Sequence, residues 1–236
     1  DFAKKRRILL FPILVALVTM VATIGLQFLV GEGAAQGSES ISDSKSFSWE
    51  EMRFALHLPL LLFSLGMGSF AFLGREKVLA RTGNKNYILA SPALQPLTNS
   101  IAHFAYYMKD LSYYVMLILT PVISGMAIGI ALESFTDVST PLEFSSLPRT
   151  WIAMVVTLAQ GLAFSFIASS LWLLGGWISR ITPLAVIALG TMLGLGILPR
   201  QYFLWGLTTQ QPDGLLIAIP AIGASIFLAW TASKLV

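Results

Sequence analysis

The chain has 236 residues, of which 56% are hydrophobic and only 11% are charged. A soluble domain of this size needs more polar surface, so the composition excludes an ordinary soluble protein. The formal net charge of +3 does not indicate a nucleic-acid-binding protein, because the cations lie in short segments beside apolar runs. Cysteine is absent, which excludes disulfides and thiolate metal sites.

Six apolar runs follow one another along the chain, each long enough for a helix to cross about 30 Å of hydrocarbon. They lie at residues 8–30, 54–73, 111–132, 151–178, 182–199 and 214–233. The sequence therefore predicts an all-α, polytopic membrane protein with six transmembrane helices and one transmembrane domain over residues 1–236. The basic residues 4–7 resemble the start of a signal peptide, but the run after them exceeds the roughly 7–15 apolar residues of such a peptide.

The charges between the runs predict the orientation. If residues 4–7 are cytoplasmic, six crossings place both termini in the cytoplasm, with eleven of the fifteen Lys and Arg residues on that side. The outer side keeps Lys45, Arg53, Arg149 and Arg200. We therefore expect a multi-pass protein of the cell membrane, with a flexible Gly- and Ser-rich outer loop at residues 31–50 and a long cytoplasmic connection at residues 74–110.

The runs contain no Asp, Glu, Lys or Arg that we place near the bilayer centre. Ionisable residues there mark proton relays, coupling-ion sites and voltage sensors, so their absence counts against such proteins. We place His57 and His103 at opposite membrane interfaces, where they cannot share a metal. We place Lys109 and Asp110 at the inner interface, beside tyrosines that belong there for structural reasons. No G-x-x-x-x-G-K-[ST] phosphate-binding loop occurs, so we expect no ATP hydrolysis on this chain.

Small residues recur at the spacing that lets membrane helices approach closely. The candidates for helix packing are Gly125 and Gly129, Gly161, Ser165 and Ser169, and Gly190 and Gly194. Packing within one bundle is the simpler interpretation, and a dimer interface or a substrate path is the alternative. Pro121 and Pro220 are expected to kink the third and sixth helices.

The connection after the second run resembles that of ABC transporter permeases of the ABC-2, or type V exporter-like, class, in particular archaeal ones. The resemblance lies in Arg75-Glu76-Lys77 and in the stretch Tyr87-Ile88-Leu89-Ala90-Ser91-Pro92, which is similar to the "LLASP" element of these permeases. The stretch from Met108 to Tyr114 and the six-run order also match.

The resemblance implies an exporting permease, with no cofactor of its own, that is driven by a separate ATPase subunit that binds ATP and Mg²⁺. The near absence of charge in the apolar runs suits an amphipathic, lipid-like or drug-like cargo better than a free ion. A second permease copy, identical or related, would complete the transporter, with a cargo path lined by the first, second and fifth helices. Further partners are membrane lipid but not nucleic acid. The residues implied to couple to the ATPase are Arg75, Glu76, Lys77, Arg81, Tyr87, Ile88, Leu89, Ala90, Ser91 and Pro92.

The chain departs from the family pattern in two places. Only residues 1–7 precede the first run, where the family has an amphipathic connecting helix, and Arg75-Glu76-Lys77 replaces an acidic pair. Two alternatives stay open: a non-transporting subunit that anchors or assembles a larger complex, and a permease of the haem-export type.

Overall fold

The computed structural model describes residues 10–25, 53–67, 99–133, 144–173, 176–199, 204–211 and 214–235. Across these ranges the chain is helical apart from short turns and contains no strand, which confirms the predicted all-α class there. The predicted outer loop at residues 31–50 and the coupling segment at residues 75–92 lie outside the described residues, as does most of the connection at 74–110.

Eight α-helices are numbered here in the order in which the described residues contain them. They are α1 (Leu10–Gly25), α2 (Arg53–Met67), α3 (Asn99–Tyr114), α4 (Thr120–Glu133), α5 (Leu147–Leu173), α6 (Gly176–Gly194), α7 (Trp205–Thr209) and α8 (Leu215–Ser233). A π-helical turn, Val115–Leu119, joins α3 to α4, and a 3₁₀ turn, Phe144–Ser146, leads into α5.

Three of these helical stretches are long and apolar enough to cross a membrane: Ser100–Leu132, Phe144–Trp172 and Leu215–Ser233. In the described residues α1 and α2 are apolar but shorter. The third helix begins at Asn99, twelve residues before the predicted apolar run. Its first turns bury His103, Tyr107 and Leu111, which are spaced four residues apart on one face. Lys109 and Asp110 interrupt the apolar pattern between Tyr107 and Leu111, so the sequence pattern did not predict this start of the helix.

The π-helical turn has a local cause in Pro121. Proline has no backbone N–H and its ring crowds the preceding turn, so a regular α-helix is interrupted just before it. Here the N–H of Thr120 donates to the carbonyl of Val115, and the Thr120 hydroxyl donates to the same oxygen at 3.1 Å. The wider turn thus accommodates the ring without leaving that carbonyl exposed. Pro220 lies inside α8, which continues through it.

The chain divides into two compact units. The first contains α1, α4 and the π-helical turn, together with the start of α5 up to residue 152. Its packing depends on two glycines of α4. A Cβ atom at Gly125 would overlap the backbone of Ala16 and the hydroxyl of Thr19, and one at Gly129 would crowd Thr23. Gly129 lies one turn after Gly125 on α4, and Thr23 lies one turn after Thr19 on α1. The residue numbers therefore increase in the same direction, and the two helices run parallel.

The second unit is built around α5, which is buried on most sides from residue 153 to residue 170. Such a helix is apolar on every face because protein surrounds it. The helix α2 packs closely against it, since a Cβ atom at Gly161 would overlap the Ser64 hydroxyl. The Ser165 hydroxyl donates to the carbonyl of Leu65 at 2.8 Å. Residue numbers rise together along this contact, so α2 and α5 are parallel.

The helix α3 crosses α5 in the opposite direction. The Tyr107 hydroxyl donates to the carbonyl of Ala159 at 3.1 Å, and the rings of His103 and Phe166 meet edge to face with centroids 4.9 Å apart. Residue numbers therefore increase along α3 where they decrease along α5, so the two helices are antiparallel. After α5 the chain turns at Gly176, whose φ of 67° is readily adopted only by glycine, and α6 then runs back along α5.

We predict that Gly125→Ala lowers the free energy of unfolding by about 1–3 kcal/mol, because the added methyl group overlaps backbone atoms of α1 that cannot move aside. Gly190→Ala is the matched control, since a Cβ atom there meets no described atom within 4 Å. Denaturant titration of the purified protein measures both values. Equal losses at the two glycines would contradict the assigned packing of α1 on α4.

Candidate functional site

Buried polar groups gather in the second unit where α7 lies against α2 and α5. The side chains of His57, Thr157 and Thr209 are fully buried, and that of Gln160 is 1% exposed. Polar groups buried in this way require hydrogen-bond partners, because leaving one unpaired costs roughly 1–3 kcal/mol. We call this group, with Gln210, the α7 polar cluster.

His57 lies at the centre of the α7 polar cluster and joins three segments. Its Nδ1 atom is 2.8 Å from the hydroxyl oxygen of Thr157 on α5. Its Nε2 atom is 3.1 Å from the Oε1 atom of Gln210, the residue that follows α7. The amide oxygen of Gln210 can only accept, so Nε2 is the donor in that contact. The Thr157 hydroxyl also donates to the carbonyl of Ala153 in its own helix at 3.2 Å. The ring therefore connects Gln210 to the hydroxyl of Thr157, and that hydroxyl is bound to the backbone of α5.

Gln160 holds the start of α7. The backbone N–H of Trp205, the first residue of α7, donates to the Oε1 atom of Gln160 at 3.1 Å. The first N–H groups of any helix have no partner inside the helix, so each needs an acceptor from elsewhere. A glutamine side chain from α5 therefore substitutes for a capping residue. The Thr209 hydroxyl donates to the carbonyl of Trp205 at 2.9 Å and strengthens the same short helix.

Glycine is required at position 206 by the close approach of α7 to its neighbours. A Cβ atom there would overlap the Thr157 hydroxyl, and it would lie 2.6 Å from the carbonyl of Ala153 and 2.9 Å from Nδ1 of His57. Leu61 of α2 and Leu204, the residue before α7, are buried together, with Phe54, Leu198 and Leu207 packed around them. Apolar packing and polar contacts therefore fix α7 at the same place.

The chemistry available to the α7 polar cluster is positional. Among the residues that the structure describes, no three His, Cys, Asp or Glu side chains lie close enough to hold a metal ion. The cluster consists of amides, hydroxyls and one imidazole, and these bond to one another and to backbone. It can hold a short helix inside the unit, and it would have to break if that helix moved.

The structure separates the predicted site residues into three groups. The coupling residues at 75–77, 81 and 87–92 lie outside the described residues. Gly125, Gly129, Gly161 and Ser165 lie at helix contacts, as described above. Ser169 instead donates to the carbonyl of Phe166 in its own helix, Gly190 has open space beside it, and Gly194 is the last residue of α6.

Both histidine rings are buried inside the protein, which the sequence analysis did not predict: His57 is fully buried and His103 is 4% exposed. The reason is that each ring has a partner inside the second unit, on α5. No periodicity could reveal this for His57, because its partners Thr157 and Gln210 are 100 and 153 residues away in the sequence.

A groove lies between the antiparallel α5 and α6. It has a volume of about 370 Å³. Its lining residues are Phe164, Ile167, Ala168 and Leu171 of α5 and Trp177, Ile178, Ile181, Thr182, Ala185 and Leu189 of α6. The Thr182 hydroxyl on its wall already donates to the carbonyl of Ile178 at 2.8 Å, so the groove offers almost no polar group. Its surface therefore suits an apolar chain.

No protein-family model, curated protein or solved structure matches this chain.

We predict that Gln160→Leu destabilises the protein by about 1–3 kcal/mol, because the N–H of Trp205 then lacks its acceptor. Gln211→Leu is the control, since Gln211 is exposed on the turn after α7. Denaturant titration measures the free energy of unfolding of both variants. If the free energy of unfolding of Gln160→Leu equals that of Gln211→Leu, Gln160 does not cap α7.

A double-mutant cycle on His57 and Thr157 tests the centre of the α7 polar cluster. Thr157→Val removes the hydroxyl while keeping the shape, and His57→Phe removes both ring nitrogens. We expect a coupling energy of about 1 kcal/mol between the two changes, because they break the same buried hydrogen bond. Thr157→Ser, which keeps the hydroxyl, should retain most of this coupling. If the losses in the free energy of unfolding of the two single variants simply add in the double variant, His57 and Thr157 are not hydrogen-bonded.

Proposed function

We propose that this chain is the membrane subunit of an ATP-driven transporter of the ABC-2 permease class. It would cross the cell membrane six times with both termini in the cytoplasm, act with a second permease copy, and take its energy from a separate ATPase subunit. The cargo would be an amphipathic or lipid-like molecule moved outward. The sequence resemblance at residues 75–92 and 108–114 suggests the class, and the geometry of the described helices supports it in three ways.

The observation that carries the proposal is α7. It is a helix of five residues, far too short to span a bilayer, and it is buried against α2 and α5 by the α7 polar cluster. It lies between the predicted fifth and sixth spans, yet it folds against α2 and α5 instead of forming an exposed loop. Short re-entrant segments are stable only where protein or a water-filled cavity surrounds them. Such segments are a feature of channels and transporters, and a passive anchor has no need of one.

The directions of the helices support alternating crossings. Within the first unit α1 and α4 run parallel, as two helices that both cross from the cytoplasm outward would. Within the second unit α2 and α5 run parallel while α3 and α6 oppose α5. Six consecutive crossings require this pattern, because every second helix then points the same way.

The groove between α5 and α6 supports an apolar or amphipathic cargo. It is open along one side and its lining is almost entirely apolar. An acyl chain or a hydrophobic drug could lie there without losing hydrogen bonds, whereas a free ion would lose its hydration with no replacement. The groove is therefore better suited to lipid-like molecules than to ions.

The haem-export alternative finds no support at His57. A haem ligand needs a free imidazole nitrogen, and both nitrogens of His57 lie within hydrogen-bonding distance of protein side chains. The anchoring alternative explains the spanning helices but not the buried α7.

The test is partner capture by the full chain. We predict that a tagged chain purified from its native membrane brings down a nucleotide-binding ATPase, and that Leu89→Asp lowers the amount at least about tenfold, since a buried charge disrupts an apolar interface. Leu89→Met is the matched control and should capture the wild-type amount. All three proteins should insert into membranes equally.

Two results would overturn the proposal in different ways. If the wild-type chain brings down no ATPase, the transporter class is wrong. If Leu89→Asp captures as much ATPase as Leu89→Met, the class stands and residues 87–92 are not the coupling segment.

A further inference from the structure

A carboxylate and an aromatic ring share one face of α3. Tyr106 and Asp110 are four residues apart, so their side chains are neighbours on the helix surface. The Asp110 side chain is only 14% exposed. Among the described residues its one polar contact is with the Nζ atom of Lys109, 3.9 Å from Oδ1, which is near the upper limit for an ion pair. A largely buried carboxylate with so weak a partner is costly in a membrane-spanning stretch.

The ammonium group of Lys109 lies between that carboxylate and the ring. Its Nζ atom is 5.1 Å from the centroid of the Tyr106 ring, within the range of a cation–π contact. Organic ammonium groups bind over the faces of aromatic rings, and a nearby carboxylate adds charge attraction. The Lys109 side chain is 67% exposed, so it can leave this position without disturbing any packing. Lys109 therefore behaves as an internal stand-in for a cationic ligand.

The face lies within a stretch that is able to span a membrane, because the apolar helical segment Ser100–Leu132 includes Asp110. Ten residues, or about 15 Å of helix, separate Asp110 from Ser100 at the start of that segment. Within a bilayer an ammonium and a carboxylate are stable only where protein, water or a polar group covers them.

We propose that Tyr106 and Asp110 form a binding site for an organic ammonium group of the trimethylammonium type, with Lys109 occupying it when no ligand is bound. The carboxylate supplies the charge and the ring supplies a weakly hydrated surface that suits alkylated nitrogen. The inference goes beyond the proposed transport function and does not depend on any ATPase partner. The ligand displaces Lys109, so binding includes a competition with the chain's own cation.

The first test measures binding of dodecyltrimethylammonium to the full chain in phosphatidylglycerol nanodiscs by calorimetry, with empty nanodiscs subtracted. We predict that Asp110→Asn weakens binding about tenfold. Tyr106→Leu should weaken it several-fold, while Tyr106→Phe, which keeps the ring, should bind as the wild type does. Equal affinities of wild type and Asp110→Asn would overturn the site, as would equal affinities of the Leu and Phe variants at position 106.

Competition by Lys109 gives a second, opposite readout. Lys109→Gln should bind the probe about fivefold more tightly, because the site is then vacant. Lys234→Gln is the matched control: the Nζ atom of Lys234 lies 5.2 Å from the Trp230 ring, but within the described residues it has no carboxylate partner. Both variants remove one positive charge near an aromatic ring, so a general electrostatic effect would tighten both equally. That result would overturn the proposal, and tightening at Lys109 alone would support it.

The ammonium group could belong to a cargo or to the headgroup of a choline lipid, and the bilayer composition separates these sources. The ratio of wild-type to Asp110→Asn affinity is measured again in nanodiscs that contain phosphatidylcholine. A ratio unchanged from phosphatidylglycerol supports an ammonium site that takes cargo. A ratio that collapses towards one supports the same site occupied by lipid headgroups.

Discussion

Helices inside a bilayer gain little from burying apolar side chains against one another, because lipid is as apolar as they are. The described contacts follow from this constraint. Gly125 lets α4 approach the backbone of α1, Gly161 lets α2 approach α5, and Gly206 lets α7 approach both α2 and α5. Where backbones come this close, dispersion and polar contacts replace the hydrophobic effect as the source of stability. Composition alone explains why the chain enters a membrane, and these three glycines explain how its parts hold together there.

The same constraint explains why the polar residues of the second unit collect around α7. A short helix has unpaired N–H groups at its start, and a buried one needs partners from protein. Gln160 on α5 accepts from the N–H of Trp205, and His57 on α2 bonds Gln210 just after α7. Because the bonds come from two different helices, α7 is held in one position rather than merely enclosed. A purely apolar contact could not provide this specificity.

Each apolar run overlaps a helix of the described residues, because hydrocarbon demands a continuous apolar stretch and the sequence displays one directly. Only three of the described helical stretches are long and apolar enough to span a membrane. The runs missed the start of α3, where Lys109 and Asp110 interrupt the pattern although His103 and Tyr107 before them are buried. They also failed for the α7 polar cluster. Gln160 and Thr157 stand out as mildly polar within an apolar run, but nothing local indicates that Gln210 or Trp205 should be their partners. Pairings between residues far apart in the chain depend on the three-dimensional fold, and one sequence alone carries no periodic signal of them.

The hydroxyl groups of the described helices have a mechanical consequence. Those of Thr19, Ser124, Thr182 and Ser225 donate to carbonyls of their own helices, so they travel with the helix and oppose no sliding. Most polar bonds between helices described above end instead on α5. Turning α2, α3 or α7 relative to α5 would therefore break these bonds, whereas a motion that carries them along with α5 would keep them. These helices are thus expected to travel with α5 as one rigid group.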